Sequence, residues 1–148
     1  MNFDSNDKID FSGKVVRHES AGGFLFYEAE GKLYVALLVG EDGKYFIPKG
    51  HLKNNELPLK AAERELREEL DIKDKLKLVG KLGISKYSFI LDDNQKHIKK
   101  VHLFVFVINQ KMDKVNWVEY DKAIRNMAFD LKNLEKAKKI LKDSLLAS

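Results

Sequence analysis

Hydrophobic and polar positions first alternate in short runs along this chain, then take a helical period, then alternate again. "GKVVRHES", residues 13–20, predicts a short edge strand. "AGGFLFYEAEGKLYVALLVG" is apolar on both sides of a Glu-Gly turn, which predicts a β-hairpin from Gly23 to Val39. "EDGKYFIPKG" adds an Asp42–Gly43 turn and a short strand through Ile47 that Pro48 stops. From Leu57 the period changes: at about 100° per residue, Leu59, Ala62, Leu66 and Leu70 fall on one stripe, so a helix is expected. "KLKLVGKLGISKYSFIL" and "HIKKVHLFVFVIN" read as strands joined by the turn "DDNQ". "WVEYDKAIRNM" starts a further helical piece, and "DLKNLEKAKKILKDSLLA" reads as an amphipathic terminal helix with Asp130 as its N-cap. Strands, helix, strands and helix around one sheet predict a mixed α/β layered domain.

Length and composition narrow the class. At 148 residues the chain suits one domain, 1–148, which buries roughly 70% of its unfolded surface without needing staples. Residues 1–10 are expected to be loosely ordered. The chain has no cysteine, which excludes disulfides, thiolate catalysis and cysteine-ligated metal, so any metal must be held by oxygen or imidazole. The opening "MNFDSNDKID" is polar and acidic, unlike a secretory signal, and the best apolar run, "VHLFVFVI", has the length of a buried strand rather than a membrane span. A cytoplasmic location and no membrane partner are therefore expected. The net charge of +4 suits anionic small molecules and is too small an excess to point to nucleic acid.

The unusual stretch is "GHLKNNELPLKAAERELREELDI", Gly50–Ile72. The helical wheel puts Glu65, Glu68 and Glu69 in an arc of roughly 100° at the edge of the apolar stripe, where carboxylates are only partly solvated and repel one another. A hard divalent cation removes that repulsion, because Mg²⁺ prefers carboxylate oxygen and keeps several waters. The competing reading is an ordinary solvated helix face, with Glu63–Arg67 and Arg64–Glu68 as i,i+4 pairs.

The spacing upstream decides between them. Gly50, five residues, Glu56, seven residues, Arg64-Glu65-Leu66, one residue, Glu68-Glu69, one residue, Asp71-Ile72 resembles the box of the Nudix hydrolases, with eight of nine fixed positions matching and Asp71 in place of glycine. Aspartate tolerates the left-handed conformation that a glycine would adopt there, at a cost of about 1 kcal/mol, and no ligand is lost. The resemblance implies an α/β/α sandwich with a mixed β-sheet, a loop–helix–loop catalytic motif, and hydrolysis of a nucleoside diphosphate linked to another group with Mg²⁺ or Mn²⁺. It implies metal ligation by Glu65, Glu68, Glu69 and the Gly50 carbonyl, and an Arg64 that orients a box glutamate by charge-assisted hydrogen bonds. Glu56 reads as support for the loop. Glu65 and Glu69 are the box candidates for general base; Asp113 and Glu119 are later ones, with plain surface acids as the alternative.

Flanking residues bear on the substrate. "SAGGFLFY" (Ser20–Tyr27), "FIPKGH" (Phe46–His51), "KKVHLFVF" and the later Trp117 resemble the dinucleoside polyphosphate hydrolases, such as those acting on diadenosine tetraphosphate. Similar Pro-Lys-Gly segments occur in diphosphoinositol-polyphosphate hydrolases, and nucleoside triphosphate and ADP-ribose hydrolysis are further alternatives. A nucleotide-sensing module without turnover is disfavoured, because Glu65, Glu68 and Glu69 all stand. Lys49 and His51 are candidates to donate to the phosphate chain, and Tyr87 to stack on a base. The alternatives are solvated loop residues for the first two and an ordinary strand aromatic for Tyr87. His97, Lys99, Lys100 and His102 are candidates for further phosphate contacts, with a solvated edge as the reading favoured for most of them; alternation puts Lys100 and His102 on one face and Lys99 and Val101 on the other. Trp117 reads as packing. The expected partner is a nucleotide polyphosphate, with the protein a monomer or homodimer.

Overall fold

A computed structural model describes residues 15–147; the expectation for residues 1–10 lies outside them. Strand β1 (Val15–Ala29) turns at Glu30–Gly31 into β2 (Lys32–Ala36). Both turn residues have positive φ, 53° and 76°, the geometry that matches the twist of a tight hairpin and that the glycine makes inexpensive. The chain then forms a small two-stranded sheet from β3 (Leu38–Val39) and β4 (Tyr45–Phe46), closed through the Asp42–Gly43 turn. After Pro48 come β5 (Lys49–His51), helix α1 (Pro58–Leu70), and the long antiparallel strands β6 (Lys77–Ile90) and β7 (Lys96–Val107). Strand β8 (Trp117–Glu119), α2 (Tyr120–Asn126) and α3 (Leu131–Ala147) complete the fold.

The main sheet runs β6-β7-β1-β2-β8, with β5 also paired to β1. Its one parallel pairing among the described strands joins β1 and β7, from Val15↔Lys96 to Phe26↔Val107. Here the expectation for residues 13–20 is corrected over its described part: Val15–Ser20 is no separate edge strand but the opening stretch of β1. Polar residues there suggest an edge because the strand's outer end projects past the covering helices. The other side of β1 is shared, with β5 along Ser20–Gly22 and β2 along Phe26–Ala29.

Alternation along β1 and β7 sends successive residues to opposite faces, and both faces are covered. Phe24, Phe26, Leu103 and Val105 pack with Leu134, Ala137 and Leu141 of α3. Leu25, Phe104 and Phe106 pack with Ala62, Leu66 and Leu70 of α1. Two dry faces explain why "VHLFVFVI" is apolar throughout rather than alternating. The result is the predicted α/β/α sandwich. Trp117 packs in the α1 layer, its Nε1 donating to the Met112 carbonyl at 3.2 Å. "WVEYDKAIRNM" splits, since Trp117–Glu119 pair with β2 before the helix begins. Asp130 stands where an N-cap would, but with φ of 63° it lacks the extended backbone of one. Its carbonyl accepts the first helical bond, from Leu134 N, while its carboxylate accepts from the Asn133 side chain at 3.0 Å.

Candidate active site

Helix α1 starts on Pro58, whose missing N–H costs nothing at a first turn, and ends at Asp71. Asp71 is left-handed, φ 53° and ψ 48°, and its N–H and that of Ile72 both donate to the Arg67 carbonyl. Aspartate thus makes the helix stop in the glycine position. The helix lays its apolar stripe on the sheet and carries its carboxylates at the stripe's edge: Glu65 is buried, and Glu68 and Glu69 are exposed one turn on.

Arg64 ties this arc to the loop before it. Its Nε and Nη2 donate to the two oxygens of Glu56 at 2.8 and 2.9 Å. Nη1 reaches Glu65 at 2.8 Å and Glu68 at 3.4 Å, and Nη2 also donates to the His51 carbonyl at 3.0 Å. One guanidinium therefore joins the β5 end, the loop and the helix. Glu56 also accepts from Lys53 N at 2.9 Å and is an internal brace of that loop. These bonds, those from Arg64 foremost and that from Lys53 N next, pull the Glu56 carboxyl from its ordinary 4.5 down to about 2. A carboxylate depressed on folding stabilises the fold above its unfolded value, and that stability is lost as pH falls from about 4.5 to about 2. Glu56→Gln is expected to lower the urea midpoint at neutral pH, with the gap from wild type closing by about pH 2. A gap that does not change with pH would refute this brace.

Gly50 explains itself from the far side of the same arc. A Cβ there would collide with the Glu65 carboxylate, which lies directly on the Gly50 α-carbon. The pairing Ala21↔Gly50 holds that position on the sheet. Among the described residues no three His, Asp or Glu side chains already converge as a closed ligand set; Glu65 and Glu68 face the Arg64 guanidinium instead. The oxygen donors nonetheless suit a hard divalent cation, with three carboxylates on one helix face and one of them packed on the Gly50 backbone.

One cleft adjoins the arc, and two more share a lining residue with it. A central one of about 520 Å³ is lined by Lys49, Gly50, His51, Glu69, Lys99 and Ser20, among others. Lys49 also lines a larger cleft of about 860 Å³ between β6 and the start of α3, which contains Tyr87, Phe129, Asp130 and Asn133. Phe129 is 70% exposed, with Lys49 Nζ 6.0 Å from its ring centre and 3.8 Å from Asp130. His51 also lines a third cleft, of about 470 Å³, with Arg17, His18 and Lys53. The sequence-predicted Lys49, His51 and Tyr87 thus fall on one connected surface with Glu69. Asp113 and Glu119 line none of these three. Asp113 is exposed in the loop whose Lys114 lies 3.6 Å from Asp71, and Glu119 is paired opposite Tyr34.

Sequence reasoning missed Phe129, whose exposure on a helix-flanking turn has no pattern in one dimension. It also missed His18 and misread two other histidines. His97 and His102 are buried rather than solvated, held by Asp93 at 3.0 Å and Glu19 at 2.8 Å. The faces are as expected: Lys100 and His102 both approach Glu19, whereas Lys99 opens into the central cleft.

The family model described as NUDIX domain matches residues 16–145, and the chain belongs to the Nudix family of pyrophosphohydrolases. Similar solved structures include an Ap4A hydrolase from C. elegans, 22% identical, covering 85% of this chain and 99% of its own, with a TM-score of 0.66. The NUDIX domain of Shewanella oneidensis NrtR, solved with ADP ribose, is 15% identical over 85% of this chain and 89% of its own, TM-score 0.65. A mutT/nudix family protein from Listeria innocua is 23% identical over 88% and 98%, TM-score 0.58. At these identities the likeness is one of fold. No curated protein matches in sequence. Among the described residues no helix is long and apolar enough to cross a membrane.

Proposed function

We propose that this protein hydrolyses a phosphoanhydride bond in a dinucleoside polyphosphate, of the diadenosine tetraphosphate kind, with Mg²⁺ or Mn²⁺. The observation that carries the reading is the position of Lys49. It lines both the cleft that holds Glu69 and the cleft that holds two aromatic side chains. A nucleoside end stacks between Tyr87 and Phe129, where each aromatic contact is worth roughly 1–3 kcal/mol. The phosphate chain then runs past Lys49, Lys99 and His51, whose donors offset its charge.

Glu65, Glu68, Glu69 and the Gly50 carbonyl are the residues that would hold the cation. When bound, it neutralises phosphate charge and lowers the pKa of a water for in-line attack. Arg64 keeps Glu65 and Glu68 turned toward each other across one guanidinium. Glu69 lines the central cleft and is better placed to take the water's proton than Asp113 or Glu119, which do not.

The test is a panel of dinucleoside tetraphosphates, nucleoside triphosphates, diphosphoinositol polyphosphates and ADP-ribose, with products separated by ion exchange. Dinucleoside tetraphosphates are expected to turn over fastest, and chelation of the metal to stop turnover. Cleavage of triphosphates alone would sink the substrate reading, and no cleavage at all would sink the hydrolase reading.

A further inference from the structure

Three of the four histidines form one parallel array beside the central cleft, and the reaction described above uses only His51. The His18 ring lies 5.9 Å from His51, 5.1 Å from His97 and 6.3 Å from Phe89, all within 22° of parallel. His18 Nε2 is 2.9 Å from His97 Nδ1, and His97 Nε2 is 3.0 Å from Asp93 Oδ2. We propose that His18, held by Asp93 and His97, is a further phosphate-binding residue that contacts the substrate's chain on the far side of His51. This rests on the polyphosphate reading above and extends it into the third cleft.

The hydrogen-bond chain fixes how His18 works. Asp93 stays ionised, kept low first by the Gln95 N–H and then by His97, so it only accepts. His97 Nε2 must then carry a proton and its Nδ1 accept, so His18 Nε2 donates. The remaining nitrogen, His18 Nδ1, is an acceptor while the ring is neutral and a donor once it is protonated. Asp93 and His97 are positioning residues that act through this tautomer.

The third cleft lies along the side of β1 that β5 leaves open, between residues 17–19 and the 51–56 loop. Arg17, His18, His51 and Lys53 supply donors there. Its two acids are already engaged: Glu56 by Arg64, and Glu19 by His102 at 2.8 Å with Lys100 at 3.9 Å. His51 lines this cleft and the central one, so a chain leaving the carboxylate arc passes it into the third cleft. The groups facing His18 are His97 and Lys99 on β7, His51 on β5 and the uncharged Phe89 on β6, with Lys86 and Lys100 across a neighbouring cleft that its strand neighbours Arg17 and Glu19 also line. Burial first, with the Lys99 charge adding to it, lowers His18 below its ordinary 6.5 and favours the neutral ring at pH 7. An arriving polyanion places negative charge beside the ring and favours its protonated form, so a proton is taken up as the chain binds.

Chain length separates this role from a structural one. Titration calorimetry in Mg²⁺, in two buffers of different ionisation enthalpy, compares inorganic pyrophosphate with linear inorganic tetraphosphate. His18→Gln is expected to weaken tetraphosphate binding about tenfold, to leave pyrophosphate unchanged, and to abolish proton uptake. Asp93→Asn, at an exposed side chain, is expected to do the same more weakly with an unaltered melting temperature. Equal weakening of both phosphates, unchanged tetraphosphate affinity, or proton uptake that survives in His18→Gln would overturn the proposal. If tetraphosphate binds as described and no dinucleoside polyphosphate is cleaved, the dinucleoside reading fails and the His18 site stands.

Discussion

Glu69→Gln is expected to lower kcat by roughly 10²–10⁴-fold, the range for losing a general base, with KM and melting temperature little changed. The side chain is exposed on the outer edge of α1, so the amide leaves the packing of Leu66 and Leu70 intact. It lines the central cleft beside Gly50 and His51, where the attacked phosphate is proposed to lie. The amide keeps the size of the carboxylate and removes its charge and basicity together. Steady-state kinetics at saturating metal separate these effects. If the variant regains wild-type kcat when metal is raised, Glu69 serves binding of the cation and not proton transfer. If kcat is unchanged throughout, Glu69 has no part in the reaction.

Arg64→Met is expected to be the most damaging single change to both stability and turnover. The guanidinium is 19% exposed and joins Glu56, Glu65, Glu68 and the His51 carbonyl. Its removal leaves the buried Glu65 carboxylate without its cation and Glu56 without its brace, so the urea midpoint should fall by more than for Glu56→Gln. Turnover should fall as well, since the loop bearing His51 and the carboxylate arc lose their common tether. Urea denaturation and kcat measured on the same preparation test this. The double variant Arg64→Met/Glu56→Gln should recover part of the lost stability and none of the lost kcat. Recovery of kcat would mean that Arg64 matters only through Glu56.

The two variants differ in how much of their effect was readable in one dimension. Glu69 belongs to a spacing that runs over 23 residues from Gly50 to Ile72. A helix starting at Pro58 necessarily brings residues 65, 68 and 69 to one side, so their proximity follows from local geometry. The helix stop at Asp71 was readable for the same reason, since a left-handed residue after Leu70 depends on the local backbone alone. That Arg64 also reaches the His51 carbonyl and Glu56 was only partly readable, because it depends on how the loop folds back.

What the chain determined by itself are features set by neighbours in sequence: strand and helix periods, the hairpin turn, the absence of thiol chemistry, and the box spacing with its family. Tertiary structure alone decided which distant segments meet. The parallel register of β1 with β7 sets His18 beside Lys99 and brings His97, 79 residues away in sequence, within hydrogen-bond distance of it. The packing of α3 on β6 brings Phe129 to the cleft that also holds Tyr87. Contacts across the sheet bury His97 against His18 and Phe89 and set His102 on Glu19, although both histidines read as solvated when only their lysine neighbours in sequence are considered. Local chemistry fixes a residue's own conformation, whereas a partner across a sheet is fixed by burying both faces of β1 and β7 at once. That requirement belongs to the whole domain, and no single segment expresses it.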